Sequence, residues 1–440
     1  MRDPGKDFFD RAEARTLDPA ERTDVTPSRP SIVTARAGLA PSAHRPRYDR
    51  QVAGNPTSRD YNKASVLAVV LSQAPLTRNK LIEMTGLSKA TVSRAVEELR
   101  ADGFVVDSGV DAANGRGRRS TYLDVPGTTG HVVGISFGMQ TTGVLVTDLR
   151  GREVQQLIVS TVEHDEVKNA AEWLVGLIAK ASGSAAGPLR QIVVAVPGRV
   201  RNGTEIFGPV ESMKIFAGSD LQRTIQELVN APVSLDSDAN AALLGILTGD
   251  ATIRNAALFS VSSILNFACC TDHELARGRT PVFGDLGALY SGVDNEILDG
   301  LLSTRGLLRF ARGRGLDLER IEDLWLEPQD DASRADVLEA FTTAIATAVS
   351  AVAVTLDPES VHFVGRLRPL VDEVLPEVRS RLDQNLPAVP EIKAVTHVFG
   401  LSTARGAVYA CLSMVHNRLR DAVLEARRQG QHAEQSAPAF

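Results

Sequence analysis

Two short helical segments joined by a glycine constrain the fold of this chain more than any other feature. The first, Thr77–Thr85, has Thr77 as its expected N-cap and is followed at once by Gly86, which supplies a turn. Ser88 then stands where the N-cap of the second segment, Lys89–Ala101, is expected. A further helix is predicted over Ser65–Gln73. Together these segments predict a helix-turn-helix, the arrangement used by many DNA-binding domains.

A basic hairpin follows the helix-turn-helix. We predict strands over Phe104–Ser108 and Ser120–Val125, and the loop between them, Ala112–Arg119, holds two glycines and three arginines. A helix-turn-helix followed by such a hairpin indicates a winged helix over residues 61–125. Residues 1–125 carry 20 Lys and Arg against 16 Asp and Glu, whereas the rest of the chain carries 28 against 38. We therefore expect a polyanion to meet the N-terminal part of the protein.

The last helix of this pattern has an apolar side and a polar side. Val92, Val96 and Leu99 recur at helical spacing and are expected to face the other helices. The opposite side is small and basic at its N-terminal end, the end that a recognition helix directs at base edges in the major groove. The residues predicted to contact DNA are Lys89, Ala90, Thr91, Ser93 and Arg94 in the helix and Arg116, Arg118 and Arg119 in the wing. The alternative is a solvated amphipathic helix that binds nothing.

From residue 131 onward, predicted strands alternate with predicted helices. Strands are expected at His131–Gly138, Gln191–Val196 and Ser360–Val364, with helices over Ala170–Ala181 and Ala332–Leu356. This alternation predicts an α/β architecture. The sequence shows no internal repeat strong enough to assert.

Composition excludes several other classes. The first residues alternate acid and base without an apolar core, so no signal peptide is expected. The longest mostly apolar stretch, Phe341–Leu356, is interrupted by polar residues and is shorter than a membrane span. Only three cysteines occur, which is incompatible with a disulfide-stapled scaffold. We expect a cytoplasmic protein without a membrane partner, preceded by a disordered tail over residues 1–60, which are poor in aliphatic side chains.

Several motifs in this α/β region resemble the ROK family of repressors, open reading frames and sugar kinases. They are HVVGISFGMQTTGVLVTDLRG, IVVAVPGRV, PVSLDSDANAALLG, FGDLGALYSG, LDPESVHFVG and FGLSTARGAVYACL. The resemblance covers about residues 61–416 and implies an actin-like, ribonuclease-H-like fold with two α/β lobes closing on a sugar and a nucleotide. It therefore suggests a ROK-like domain over residues 130–416 and a C-terminal tail over residues 417–440.

The catalytic motifs of the family are degraded in this chain. Where ROK kinases have the aspartate of a phosphate loop, this sequence has Ser136. The stretch matching their second phosphate loop, Ser262–Ala268, contains no glycine, and a backbone without glycine does not easily approach a triphosphate. The stretch where the family's zinc cluster is expected contains neither cysteine nor histidine. We expect no catalytic residues, no cofactor and no metal.

This chain retains only part of the family's sugar-binding motifs. The resemblance implies that a sugar or sugar phosphate would contact Ser237, Asp238, Asn240 and Asp285. The family's histidine after this last acid is Ala288 here. A carboxylate can accept sugar hydroxyl groups without catalysing a reaction. Two interpretations of Asp236 stay open. It forms a pair of functional acids with Asp238, or it points to solvent or caps the following helix.

The sequence as a whole predicts a transcriptional regulator, a repressor that binds a double-stranded DNA operator as a homodimer or higher homo-oligomer. The ROK-like body is expected to be catalytically silent and to sense a sugar-type effector. Three alternatives stay open: an active sugar kinase with a DNA-binding appendage, a body that only dimerises, and a body that engages a protein partner.

Overall fold

The computed structural model describes most of the chain. The described residues are 58–110, 121–208, 211–250, 252–278, 280, 282–326, 332–396 and 400–435. The predicted wing residues Arg116, Arg118 and Arg119 lie outside the described residues, as does the predicted tail up to residue 57. Residues 58–60, which the same prediction placed in the tail, instead form the first turn of a helix.

The N-terminal domain is a winged helix. Its elements are α1 (Ser58–Gln73), β1 (Leu76–Thr77), α2 (Arg78–Thr85), α3 (Lys89–Ala101), β2 (Val106–Val110) and β3 (Thr121–Asp124), with the strands in the order β1-β3-β2. Both predicted helix caps are confirmed, because Thr77 accepts a hydrogen bond from the backbone N–H of Lys80 and Ser88 accepts one from Thr91. Gly86 ends α2 with a φ of 67°, a conformation that favours glycine. These signals lie within a few residues of one another, so the sequence was sufficient to locate them.

The first lobe of the α/β region is a five-stranded sheet with helices. Its main elements are β4 (His131–Phe137), β5 (Thr141–Asp148), β6 (Glu153–Ser160), α4 (Val167–Ser182), β7 (Leu189–Val196), β8 (Arg199–Arg201), β9 (Glu205–Phe207), α5 (Asp220–Leu228), β10 (Val233–Ser237) and α6 (Asp238–Leu247). The sheet order is β10-β7-β4-β5-β6. Strands β4, β5 and β6 pair antiparallel, whereas β7 and β10 extend the sheet in parallel. β8 and β9 form a separate hairpin.

The second lobe repeats this strand order. Its elements are β11 (Ala256–Val261), β12 (Leu265–Thr271), β13 (Glu274–Leu275), α7 (Leu298–Leu302), α8 (Thr304–Gly313), α9 (Asp323–Leu326), α10 (Ala332–Leu356), β14 (Ser360–Val364), α11 (Arg368–Asn385) and β15 (Glu391–Ala394). Its sheet order is β13-β12-β11-β14-β15. Followed from β15 to β13, this sheet has two parallel pairings and then two antiparallel ones, as the first sheet has from β10 to β6. The predicted actin-like, ribonuclease-H-like fold is thereby confirmed, and the two lobes form an internal structural repeat that the sequence did not reveal.

Helix α10 is long and apolar enough to cross a membrane, judged by its length and composition alone. Phe341, Ile345 and Val349 on this helix are fully buried in the core of the second lobe. An apolar helix surrounded by its own domain is explained by that packing. We therefore assign α10 as the core helix of the lobe.

The C-terminal helix corrects one prediction. We placed a tail from residue 417 onward, but α12 (Leu401–Gln435) runs without interruption to Gln435. Its first part packs on the sheet of the first lobe, where Val408 and Cys411 are buried. Its later part reaches the winged helix, where Val423 is buried in the core of that domain. One helix thus contributes to the cores of both domains.

A cluster of charged side chains also joins the two domains. Arg150, in the turn after β5, donates to Asp124 at the end of β3 with an Nη1–Oδ2 distance of 2.6 Å. It also donates to Asp148 from Nε at 2.7 Å. The Asp124 side chain is only 7% exposed, so removing the Arg150 guanidinium would leave a buried carboxylate whose remaining ion pair, with Arg152, has an N–O distance of 3.9 Å. The winged helix is therefore fixed to the first lobe by apolar and ionic contacts.

Candidate DNA-binding surface and ligand cleft

Helix α3 presents the face that the sequence predicted. Val92, Val96 and Leu99 are fully buried against the other helices. The residues predicted to contact DNA lie on the other side, with Lys89, Ala90 and Arg94 exposed and Thr91 and Ser93 partly exposed. The N-terminal end of α3 is thus an accessible surface of small and basic residues.

Two residues of α1 join this surface, although the sequence pattern did not indicate them. Arg59 and Asn62 line a groove of about 200 Å³ together with Ala90, Thr91 and Arg94. Arg59 donates from Nε to Glu98 Oε1 at 2.8 Å, which fixes the first helix against the recognition helix. The predicted tail ended at residue 60, so Arg59 was assigned to a disordered segment.

Two of the three cations of α3 are available to a ligand. Within the described part of the chain, neither Lys89 nor Arg94 has a carboxylate within salt-bridge distance, whereas Arg100 further along the helix pairs with Glu97 and Asp107. A cation without an acidic partner can pair with a phosphate or a guanine edge without first breaking an internal ion pair. The charge pattern therefore favours the N-terminal half of α3 as the DNA-contacting half.

A cleft of about 280 Å³, which we call the ligand cleft, opens beside the N-terminus of α6. The hairpin β8–β9 forms one wall, and β12 and the segment after β13 form another. The cleft is lined by Ser237 and Asn240, as the resemblance implied. Ser237 is the N-cap of α6, and its hydroxyl accepts a hydrogen bond from the backbone N–H of Asn240 at 3.1 Å.

Asp236 has a structural partner that neither reading of the sequence included. Its side chain is buried, and its Oδ2 lies 2.7 Å from Nη2 of Arg277. Its Oδ1 accepts a hydrogen bond from the side-chain amide of Asn240 at 2.7 Å. Asp236 therefore holds two lining residues of the cleft in place and is not exposed to solvent. Arg277 follows β13 by two residues in an otherwise featureless loop, and nothing in the sequence signals this contact.

Asp238 and Asp285 lie beside the cleft, each bound to a residue that lines it. Asp238 accepts a hydrogen bond from the side-chain amide of Asn266, with the two atoms 3.0 Å apart. Asp285 forms an ion pair with Arg199. The structure thus brings all four predicted ligand residues to one place, two that line the cleft and two that are bonded to residues lining it. Their contact with a ligand stays a prediction.

Burial changes the acidity of Asp238. Loss of solvent around the side chain raises its pKa to about 6, and the hydrogen bond from Asn266 opposes this only in part. An aspartate so placed titrates close to physiological pH. Asn266 lies in the stretch that matches a phosphate loop in the family. In this protein that stretch therefore donates a hydrogen bond to Asp238, an acid of the sugar-binding motif.

The raised pKa predicts a pH-dependent stability. The folded protein holds the Asp238 proton more tightly than the unfolded chain does, so this group stabilises the fold at low pH, and the stabilisation is lost as the pH rises through about 6. Asp238→Asn cannot ionise and escapes this loss. We expect the free energy of unfolding of the variant, relative to the parent, to increase by about 2 kcal/mol between about pH 4 and about pH 7. Urea unfolding of both proteins at each pH measures it, and a constant difference would show that Asp238 has an ordinary pKa.

The positions of the family's other motifs carry different side chains. Ser136, where the kinases have an aspartate, is buried near the end of β4. Ser262 and Ser263 form the turn between β11 and β12. Among the residues that the structure describes, no group of three or more His, Cys, Asp or Glu side chains is placed to hold a metal ion.

Comparison with known proteins agrees with this division of the chain. The model of the ROK family matches residues 132–411, and that of the MarR family matches residues 60–116. The xylose repressor of Caldicellulosiruptor bescii is 26% identical over 299 residues, which cover 64% of this chain and 73% of that protein. The xylose repressor of Bacillus subtilis is 28% identical over 243 residues, or 51% of this chain and 59% of that protein.

Solved structures show the same fold in regulators and in kinases. A ROK family transcriptional regulator, described as a homolog of the E. coli MLC protein, superposes with a TM-score of 0.65 at 16% identity and covers 83% of this chain and 99% of that one. A ROK hexokinase from Thermus thermophilus has a TM-score of 0.54 at 20% identity, covering 65% of this chain and 99% of that one. The family model spans more than half of the sequence, and the fold agrees over the 83% of the chain that superposes on the regulator. The chain therefore belongs to the ROK family.

Proposed function

We propose that this protein is a sequence-specific DNA-binding transcriptional repressor whose ROK domain binds a sugar-type effector. The observation that carries the proposal is the winged helix, in which α3 exposes Lys89, Ala90 and Arg94 at its N-terminal end. The names of the relatives, two of them xylose repressors, support the same function. The operator is double-stranded DNA, and the protein acts in the cytoplasm.

The contacts between the domains supply a route from the ligand cleft to the DNA-binding surface. Met414 of α12 lines the ligand cleft, and it also lines a second cleft of about 440 Å³ that reaches Ala68 and Ser72 of α1. Further along the same helix, Val423 is buried in the core of the winged helix. A ligand that prefers one position of α12 would shift the population of DNA-binding orientations. A ligand with equal affinity for both would change nothing.

We propose a homodimer as the DNA-binding form. A two-fold symmetric protein presents two recognition helices to an inverted repeat, with half-sites separated by whole turns of the DNA helix. The operator would then be a palindrome.

We further propose that the ROK domain does not phosphorylate sugars. Ser136 supplies no carboxylate near the position of the family's first phosphate loop, and the stretch Ser262–Ala268 has no glycine. A coupled assay of ATP turnover against a panel of hexoses and pentoses checks this. Turnover that disappears in Asp238→Asn would overturn the proposal and establish the kinase alternative.

Selection of bound sequences from random double-stranded DNA by the full chain tests the repressor proposal. We expect an enriched palindrome, bound with an affinity that falls steeply with salt because counterions leave the DNA. A reporter gene placed behind that palindrome should be repressed in cells that express the protein. Failure to enrich any sequence, with the protein folded and soluble, would contradict DNA recognition.

A further inference from the structure

The charges on the wall of the ligand cleft all have one sign. In the described part of the chain, the charged side chains that line it are Arg199, Arg201 and Arg277, and no carboxylate lines it. Asp236, the partner of Arg277, is 3% exposed, whereas Arg277 itself is 49% exposed. Asp236 therefore lies behind Arg277, which faces the space where a ligand would bind. Asp285 and Glu205, the partners of Arg199 and Arg201, are about as exposed as those arginines but do not line the cleft.

These arginines are held in fixed positions before any ligand arrives. Asp236 accepts hydrogen bonds from Nη1 and Nη2 of Arg277 at 3.4 and 2.7 Å. Asp285 pairs with Arg199. Arg201 pairs with Glu205, and its guanidinium lies 4.6 Å from the centre of the Phe207 ring. A guanidinium has five N–H donors, so one that is held by a single carboxylate keeps donors for a second acceptor.

The remaining polar groups of the cleft suit hydroxyl groups. Ser237, Asn240 and Asn266 supply a hydroxyl and two side-chain amides beside the arginines. A neutral sugar would satisfy these groups but would cover the guanidinium N–H groups without giving them a charged acceptor. A carboxylate or phosphate pairs with a guanidinium in a planar, two-point arrangement, which makes the hydrogen bonds stronger.

We propose that the effector is a polyhydroxylated organic anion, a sugar phosphate or a sugar acid, whose acidic group is bound by Arg199 and Arg277. The proposal rests on the assignment of the cleft as the effector site under Proposed function. It adds the chemical class of the ligand, since the resemblance to the family leaves a neutral sugar equally open.

Calorimetric titration of the full chain tests this without any DNA. The probes are glucose, glucose-6-phosphate, glucuronate and inorganic phosphate, followed by the phosphates and acids of other hexoses and pentoses. We expect at least one sugar anion to bind about 10- to 100-fold more tightly than its neutral parent. The comparison of glucose-6-phosphate with glucuronate distinguishes a phosphate from a carboxylate as the recognised group.

Variants locate the binding site. Arg199→Gln and Arg277→Gln should each reduce the preference for the anion by about tenfold or more, leaving weak binding of the neutral sugar. Because Arg277→Gln leaves Asp236 buried without its partner, the double variant Asp236→Asn with Arg277→Gln serves as a neutral replacement of the pair. Arg223→Gln, which removes an exposed, ion-paired arginine of α5, is the matched control and should bind like the parent.

Three results would overturn the proposal. The first is a neutral sugar that binds as tightly as its anionic forms, and the second is inorganic phosphate that binds as tightly as any sugar phosphate. The third is the absence of binding by every anion of the panel. DNA selection is measured separately on the same preparation, so a protein that recognises a palindrome but binds no sugar anion refutes this inference and leaves the repressor proposal standing.

Discussion

Replacing Arg94 with glutamate should weaken operator binding by about 100-fold or more. The change removes a cation from the exposed side of α3 and places a carboxylate where DNA phosphates and guanine acceptors are expected. Loss of one base contact costs about 1–3 kcal/mol, and repulsion adds to it. Fluorescence anisotropy with the selected palindrome at fixed salt measures the change in affinity.

The control for this variant has the same change in net charge elsewhere. Lys180→Glu lies on an exposed position of α4, in the first lobe, and should bind the operator like the parent. Arg94→Ala completes the set, because it should relax sequence preference at one base position in a repeated selection. If Arg94→Glu and Lys180→Glu bound equally well, α3 would not be the recognition helix.

Replacing Gly406 with alanine should destabilise the protein by about 3 kcal/mol or more. Gly406 lies in α12 at its crossing with α6, and a Cβ added there would lie 1.7 Å from the carbonyl oxygen of Ala241. Backbone atoms of two packed helices would have to separate, and the contacts of α12 with the sheet would be disturbed with them. Denaturant unfolding, followed by circular dichroism, measures the loss.

A second helical glycine provides the control. At Gly176, in the exposed part of α4, an added Cβ would meet no atom within 4 Å. Gly176→Ala should therefore stabilise the protein by about 0.5–1 kcal/mol, because alanine has less conformational freedom to lose on folding. Equal stability of the two alanine variants would show that α12 and α6 do not approach as closely as the structure has them.

The operator affinity and the packing of α12 are connected, because α12 contacts both the ligand cleft and the winged helix. If that helix transmits ligand binding to the winged helix, Gly406→Ala should also weaken any effect of a bound sugar anion on operator affinity. The residues that line the cleft would be unchanged. The affinity for the sugar anion should therefore change less than the effect of the bound anion on operator affinity.

Local signals in the sequence were enough to locate the winged helix. Capping residues, the glycine turn and the apolar spacing of α3 all act within a few residues, and the structure confirms each of them. The recognition face followed from the same periodicity, because the buried side of a helix determines the exposed one. The family motifs likewise predicted that Ser237, Asp238, Asn240 and Asp285 lie near one another.

Contacts between distant residues were decided only by the tertiary structure. The pairing of Asp236 with Arg277 spans 41 residues, and no local pattern encodes an ion pair between a strand and a distant loop. The repeat of strand order in the two lobes is invisible in the sequence because hydrogen bonding between strands depends on backbone geometry, which different side chains can share. The prediction of a tail from residue 417 was wrong even though Leu419 and Val423 keep a helical spacing there, because the winged helix against which they pack is distant in the sequence.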